Sequence, residues 1–265
     1  MKRLRAMFSK FSSSTSIRFC YLILVIVAVV VVSNAAAQTS LPVSSGLRLW
    51  LRSDMGITLD GSGAVQTWAD QSGFGHDFTQ DAAYARPTLV AGGGPRGAAV
   101  LHFDGDDDVL RNPAQIVGGT SVTIFTVMAV REPGYPWVLG ELYSCDPTDG
   151  LPRRLFYEGH PGGGVDSPDF FDVADDCSND ERASFAGINN TQFKLLTITG
   201  SDRIQNMRVF VNGAAAAMSP TGSNIEVKFS PGNDLAHVWA APDEYTVVDF
   251  AEFIVYDREL TQAER

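Results

Sequence analysis

The sequence predicts an all-β fold, an antiparallel sandwich or barrel, and three observations predict it. Short runs rich in β-branched and aromatic residues recur along the chain, several of them alternating apolar with polar. Clusters of Gly, Pro, Asn and Asp separate these runs, with 25 Gly and 13 Pro among 265 residues. No long segment carries an apolar repeat of 3.6 residues, so an amphipathic helix has no stripe to bury.

The first element is not part of the fold. Lys2, Arg3, Arg5, Lys10 and Arg18 precede the unbroken apolar run from Phe19 to Val32, and Ser33 to Ala37 then supplies small residues. Ala35 and Ala37 fit the A-x-A pattern read by signal peptidase, so residues 1–37 are expected to be a signal peptide cleaved after Ala37. The alternative is an uncleaved anchor, but the run falls short of the ~20 apolar residues needed to span a bilayer. Residues 38–45 read as a linker and 46–265 as one domain. At this length a single core buries roughly three quarters of the unfolded surface.

Within that domain the strand runs are 47–52, 121–130, 193–199, 207–211 and 247–256. The turn clusters include 91–95, 161–164 and Asn212-Gly213; the last is a hairpin signal, because both residues tolerate the positive φ of a type I′ turn. At the end of the chain Thr261-Gln-Ala-Glu264 has the form of a capping box, the start of a short C-terminal helix in which the Thr hydroxyl and the Glu carboxylate reciprocally satisfy backbone donors. A one-turn helix is unstable alone, so the chain reads as C-terminally truncated.

Charge and cysteine content narrow the function. All five basic residues named above lie before any acid, so from Gln38 onward fifteen basic residues face thirty-one acidic ones, sixteen net negative charges. That surface repels phosphate backbones and anionic lipid, which argues against nucleic acid and, after signal cleavage, against membrane docking. Cys20 leaves with the signal peptide. Cys145 and Cys177 then form an even pair in an oxidising compartment, and a disulfide is the simplest expectation, with two buried thiols as the alternative.

The opening Gly46-Leu-Arg-Leu-Trp-Leu-Arg-Ser-Asp54, then Val65 to His76 (VQTWADQSGFGH), Arg86-Pro-Thr88 and His102-Phe-Asp-Gly105, resemble the first third of bacterial LamG-like domains of the concanavalin A-like lectin/glucanase superfamily. Ala251 to Glu264 is similar to their last strand and the helix start that follows, so the resemblance frames 46–265. It implies a jelly-roll sandwich of two antiparallel sheets. It also implies a secreted or cell-surface module that binds carbohydrate or a surface protein, or one that serves as a ligand-free part of a larger surface protein. An enzyme is not implied: members with glycosidase activity carry E-x-D-x-x-E on one strand, and this sequence has no such run. In similar chains the C-terminal helix continues for two or three turns.

Candidate site residues divide by chemistry. In Trp68-Ala-Asp-Gln-Ser-Gly73 the indole reads as a core anchor, with Asp70 and Ser72 tying a tight turn. His76, His102, His160 and His237 are scattered, without zinc spacing. Asp104, Asp106 and Asp108 alternate in a loop and are the candidate ligands for Ca²⁺, a hard cation that takes several oxygens. The acidic stretch 166–181 is a second candidate, and a solvated loop is the plainer reading of both. For a sugar, whose apolar face stacks on a ring, the candidates are Tyr135, Trp137, Tyr143 and Tyr157, followed by Trp239 and Tyr245. A rival reading as a glycoside hydrolase or lyase needs two facing carboxyl groups, and Glu141, Glu158, Asp249 and Glu252 are the candidates.

Overall fold

The computed structural model describes residues 40–114, 116–117, 119–131, 137–140, 154–158, 169–174, 180–185, 191–201, 203–221, 233–235 and 247–265. The signal segment and Cys145 and Cys177 lie outside the described residues. One compact unit runs from Val43 to Arg265.

Its described residues are nearly all β. The strands are β1 (Leu47–Arg52), β2 (Ile57–Leu59), β3 (Val65–Trp68), β4 (Phe78–Thr79), β5 (Thr88–Val90) and β6 (Val100–Asp104). There follow β7 (Leu110–Asn112), β8 (Ser121–Val130), β9 (Trp137–Gly140), β10 (Arg154–Glu158), β11 (Asp169–Ala174) and β12 (Asp180–Phe185). The last are β13 (Lys194–Ser201), β14 (Arg208–Val211), β15 (Ala214–Ala215), β16 (Met218–Thr221), β17 (Asn233–Leu235) and β18 (Val247–Tyr256). Two sheets result. The first has the order β15-β14-β13-β8-β18-β6-β5, with β1 also on β18; the second has the order β16-β12-β11-β10-β9-β17-β7-β4-β3-β2.

The sheets pack face to face through one hydrophobic cluster. Leu49, Leu51, Phe103, Leu196 and Phe250 of the first sheet share it with Val65, Trp68, Phe78 and Leu110 of the second. Trp68 and Phe250 meet across the sandwich with ring centroids 6.5 Å apart, and Phe103 lies edge-on to Phe250 at 5.7 Å. The Trp68 indole N–H donates to the Arg52 carbonyl at 2.8 Å, so a fully buried indole leaves no polar atom unsatisfied. This is the core-anchor role its sequence context predicts.

β18 organises the first sheet. One flank pairs with β8 from Val248 to Tyr256; the other pairs with β6 through Val247–Phe250 and with β1 through Glu252–Tyr256. A register shift between Phe250 and Glu252 inserts one residue. It inverts the alternation, so the core takes Val248 and Phe250 before the shift and Phe253 and Val255 after it.

β1, β8 and β18 coincide with three of the predicted runs, and β13 is displaced to 194–201. Asn212 (φ 52°) and Gly213 (φ 80°) reverse the chain between β14 and β15, the positive-φ pair that a tight hairpin requires. The C-terminal capping box is only half formed. Glu264 accepts the Thr261 N–H at 2.9 Å, but the Thr261 hydroxyl donates to the same carboxylate, also at 2.9 Å, instead of accepting from the backbone. Arg258 holds that carboxylate at 2.7 and 3.0 Å, and its hydrogen bond is the main reason the Glu264 carboxyl sits well below its usual range. The helix start amounts to one turn, closed by the Glu264 and Arg265 N–H groups on the Thr261 carbonyl.

One defect marks the centre of the sheet. Thr126 on β8 is fully buried, and its hydroxyl has no hydrogen-bond partner among the described residues. A buried hydroxyl without a partner costs about 1–3 kcal/mol relative to an apolar isostere. Thr126→Val is therefore expected to raise the urea midpoint with an unchanged slope, a gain of about 1–2 kcal/mol; a lower midpoint would contradict this assignment.

Candidate functional site

The acidic loop lies where the chain leaves the first sheet at Asp104 and enters the second at Leu110. Gly105 at φ 77° breaks the extended backbone that would have aligned alternate side chains. The structure accordingly gathers Asp104, Asp107 and Asp108, with candidate ligand oxygens all within 4.8 Å of one another. Asp106 stands outside this group: its N–H donates to Asp104 Oδ1 at 2.9 Å, and its side chain faces solvent. Asp107 thus replaces Asp106 in the set that alternation predicts.

Burial sets the electrostatics. Asp108 is 5% exposed, and its carboxyl is pushed up to about 6 chiefly by that burial, with the Asp104 and Asp107 charges adding to the effect. The Asp104 N–H, donating to Asp108 Oδ2 at 3.0 Å, and the nearby His102 act against the rise. Burial, then Asp104 and Asp106, raise Asp107 as well. Carboxylates crowded this closely form a donor set whose repulsion a hard cation such as Ca²⁺ would relieve.

Beside this loop the outer face of the first sheet carries a fixed ion-pair row. Asp249 on β18 stands opposite His102 on β6, and its Oδ1 accepts from His102 Nδ1 at 2.6 Å. Its Oδ2 accepts from Arg131 Nε at 2.7 Å. Glu252, past the register shift, accepts the Trp50 indole N–H at 2.7 Å. Both β18 acids put forward for a hydrolase therefore have committed structural partners. Glu141 lies outside the described residues, and Glu158 is the last residue of β10.

The predicted sugar-contact aromatics are only partly placed. Trp137 opens β9 and Tyr157 lies on the adjacent β10, with Glu158 opposite Trp137 and Tyr157 opposite Leu139. Tyr135, Tyr143, Trp239 and Tyr245, with His160 and His237, lie outside the described residues. Two aromatics that sequence reasoning passed over are exposed: Phe74 at 53% and Tyr84 at 78%. The signal for Phe74 was present in Ser72-Gly-Phe-Gly-His76, an aromatic between two turn glycines.

The loop that carries Phe74 is tightly tied. Asp70 accepts the N–H groups of Trp50 (2.9 Å), Ser72 (2.8 Å) and His76 (3.1 Å) and the Ser72 hydroxyl (2.6 Å). Asp77 accepts the Asp70 N–H at 2.8 Å, and His76 Nδ1 lies 2.9 Å from the Arg48 carbonyl. Asp70 and Ser72 therefore do what their place in the sequence predicts.

Three domains of known structure are similar to this chain. The binding domain of Paraclostridial Mosquitocidal Protein 1 matches at 12% identity and TM-score 0.54, over 83% of this chain and 50% of that one. The receptor-binding domain of botulinum neurotoxin type G matches at 12% and 0.51, again over 83% and 50%. Domain 4 of AbnA, a GH43 extracellular arabinanase from Geobacillus stearothermophilus in complex with arabinotriose, matches at 12% and 0.53, over 83% of this chain and 96% of the domain. The chain shares their β-sandwich fold. It spans about half the length of the two toxin binding domains and nearly all of the arabinanase domain. No protein-family model and no curated protein matches it.

The Asp108 shift has a defined sign. Its folded pKa of about 6 exceeds the ordinary value of 3.8, so the folded state holds its proton more tightly, and this group weakens the fold as pH rises from about 4 to 6. Asp108→Asn keeps an oxygen to accept the Asp104 N–H and removes the charge. In chelator at pH 7.5 it is expected to raise the melting temperature, by a contribution of about 3 kcal/mol at most. The two melting curves should converge near pH 4; a variant less stable than the parent at pH 7.5 would contradict this.

Proposed function

We propose that the chain is an exported, noncatalytic module that binds carbohydrate, of the LamG-like kind its sequence motifs resemble. The observation that carries the reading is the likeness to nearly the whole of an arabinanase domain solved with arabinotriose. A match covering 96% of that domain supports a binding reading better than one covering half of a larger chain. The motif order from Gly46 to Glu264, the apolar run and small residues before Gln38, and the acidic balance of the rest point the same way. The same reading makes Asp104, Asp107 and Asp108 a low-affinity Ca²⁺ set, of the kind used where extracellular calcium is abundant. The geometry favours this over hydrolysis because Asp249 is locked between His102 and Arg131 and Glu252 is held by Trp50.

Calorimetric titration of the chain with a panel of neutral oligosaccharides, arabinotriose among them, tests the reading. Repeating it in calcium and in chelator tests the role of the carboxylates. Saturable binding without release of new reducing ends is expected. Absence of binding across the panel in both conditions, or hydrolysis of a bound saccharide, would overturn it. Binding to a surface glycoprotein that survives complete deglycosylation, with no saccharide bound, would assign the module to a protein partner instead.

A further inference from the structure

We infer that Phe74, Arg48, His76 and Asp257 form a contact platform for one neutral sugar ring. The inference rests on the carbohydrate reading above and locates the site within it.

Phe74 combines two properties that seldom coincide: its ring is half exposed, and it is held still. Gly73 (φ 92°) and Gly75 (φ 74°) on either side take left-handed backbone, which lifts the intervening side chain off the surface. The loop has no slack, because Asp70, Ser72, His76 and Asp77 bind it to β1 and to itself. The ring is also oriented. The Arg48 guanidinium carbon lies 4.9 Å from its centroid, and the His76 ring lies nearly parallel at 16°, 5.9 Å away. An apolar ring ordered before binding carries little of the ordering cost that weakens flexible contacts.

Polar groups complete the match. Asp257 follows β18, and its Oδ2 receives Arg48 Nε and Nη2, each at 2.5 Å. Arg48 Nη1 remains as a donor without a partner among the described residues, while Asp257 Oδ1 lies against Gly46. A sugar ring has an apolar C–H face that stacks on an aromatic and hydroxyls that both donate and accept. The half-exposed Phe74 ring supplies apolar surface, and Arg48, 4.9 Å from its centroid, supplies a donor. Neutrality follows from charge: Asp257 neutralises Arg48, and the chain from Gln38 carries sixteen net negative charges, which oppose a uronate or other anionic sugar. Tyr84 is more exposed, but no ring or guanidinium is stacked on it among the described residues, so it serves as the control.

The test titrates arabinotriose and cellohexaose into the full chain and into Phe74→Ala, Phe74→Trp and Tyr84→Ala, with the melting temperature of each as the folding control. The expected result is a loss of tenfold or more in affinity for Phe74→Ala, retention in Phe74→Trp and a change within twofold for Tyr84→Ala. Should Phe74→Ala destabilise the fold, Phe74→Leu, which keeps apolar bulk and removes the flat ring face, decides the matter: the same tenfold loss is expected, and unchanged affinity would overturn the platform. Unchanged affinity in Phe74→Ala, or loss in Tyr84→Ala alone, would overturn the platform and leave the carbohydrate reading standing. Failure of the parent chain to bind either saccharide or any of the wider panel would overturn both.

Discussion

The two-sided pairing of β18 is the constraint on which the rest of the structure depends. A ten-residue strand engaged along one flank by β8, and along the other by β6 and then β1, joins the start of the sandwich to its end. No other described strand makes three such pairings. The extra residue at the register shift allows one strand to serve two neighbours in succession, because each half needs its own inward-facing pair. Every polar cluster discussed above is built on this strand or next to it. Asp249 anchors His102 and Arg131, Glu252 receives Trp50, and Asp257 reaches Arg48 one residue beyond the strand.

From there the order passes outward through one carboxylate. Asp70 accepts a backbone bond from Trp50 at the centre of β1 and two more from the loop that follows, so the loop inherits the rigidity of the sheet. This is a general way for a sandwich to display function: the sheets supply stiffness, and short loops at their margins supply recognition. The acidic loop follows the same rule with a different chemistry. It spans the step between sheets, where Asp108 is buried and crowded by Asp104 and Asp107, and that burial raises its carboxyl.

Long strands with apolar alternation were legible in the sequence, and β1, β8 and β18 lie where the residues place them. So were turns that depend on residue chemistry alone, such as Asn212-Gly213 and the Asp70-Ser72 tie. Three things were not legible. Strands of two to four residues, such as β4 at Phe78–Thr79, are too short for a period to declare itself and are held by neighbours distant in sequence. The replacement of Asp106 by Asp107 came from a single left-handed glycine, Gly105, which breaks the alternation on which the choice rested. Exposure of Phe74 against burial of Phe78 is decided by packing across the sandwich, which local sequence does not encode, although the glycines flanking Phe74 were a usable sign.

The central claim is that the loop from Asp70 to Asp77 is rigid by virtue of the Asp70 carboxylate and presents its aromatic ring ready for contact. Amide hydrogen exchange measures this directly. The N–H groups of Trp50, Ser72 and His76 all donate to Asp70, so they should exchange far more slowly than in an unstructured peptide, and in Asp70→Ala the Ser72 and His76 amides should lose that protection while β8 and β18 keep theirs. Ser72 and His76 amides exchanging at peptide rates in the parent protein would mean that the ring is carried on a mobile loop, and the account would fail.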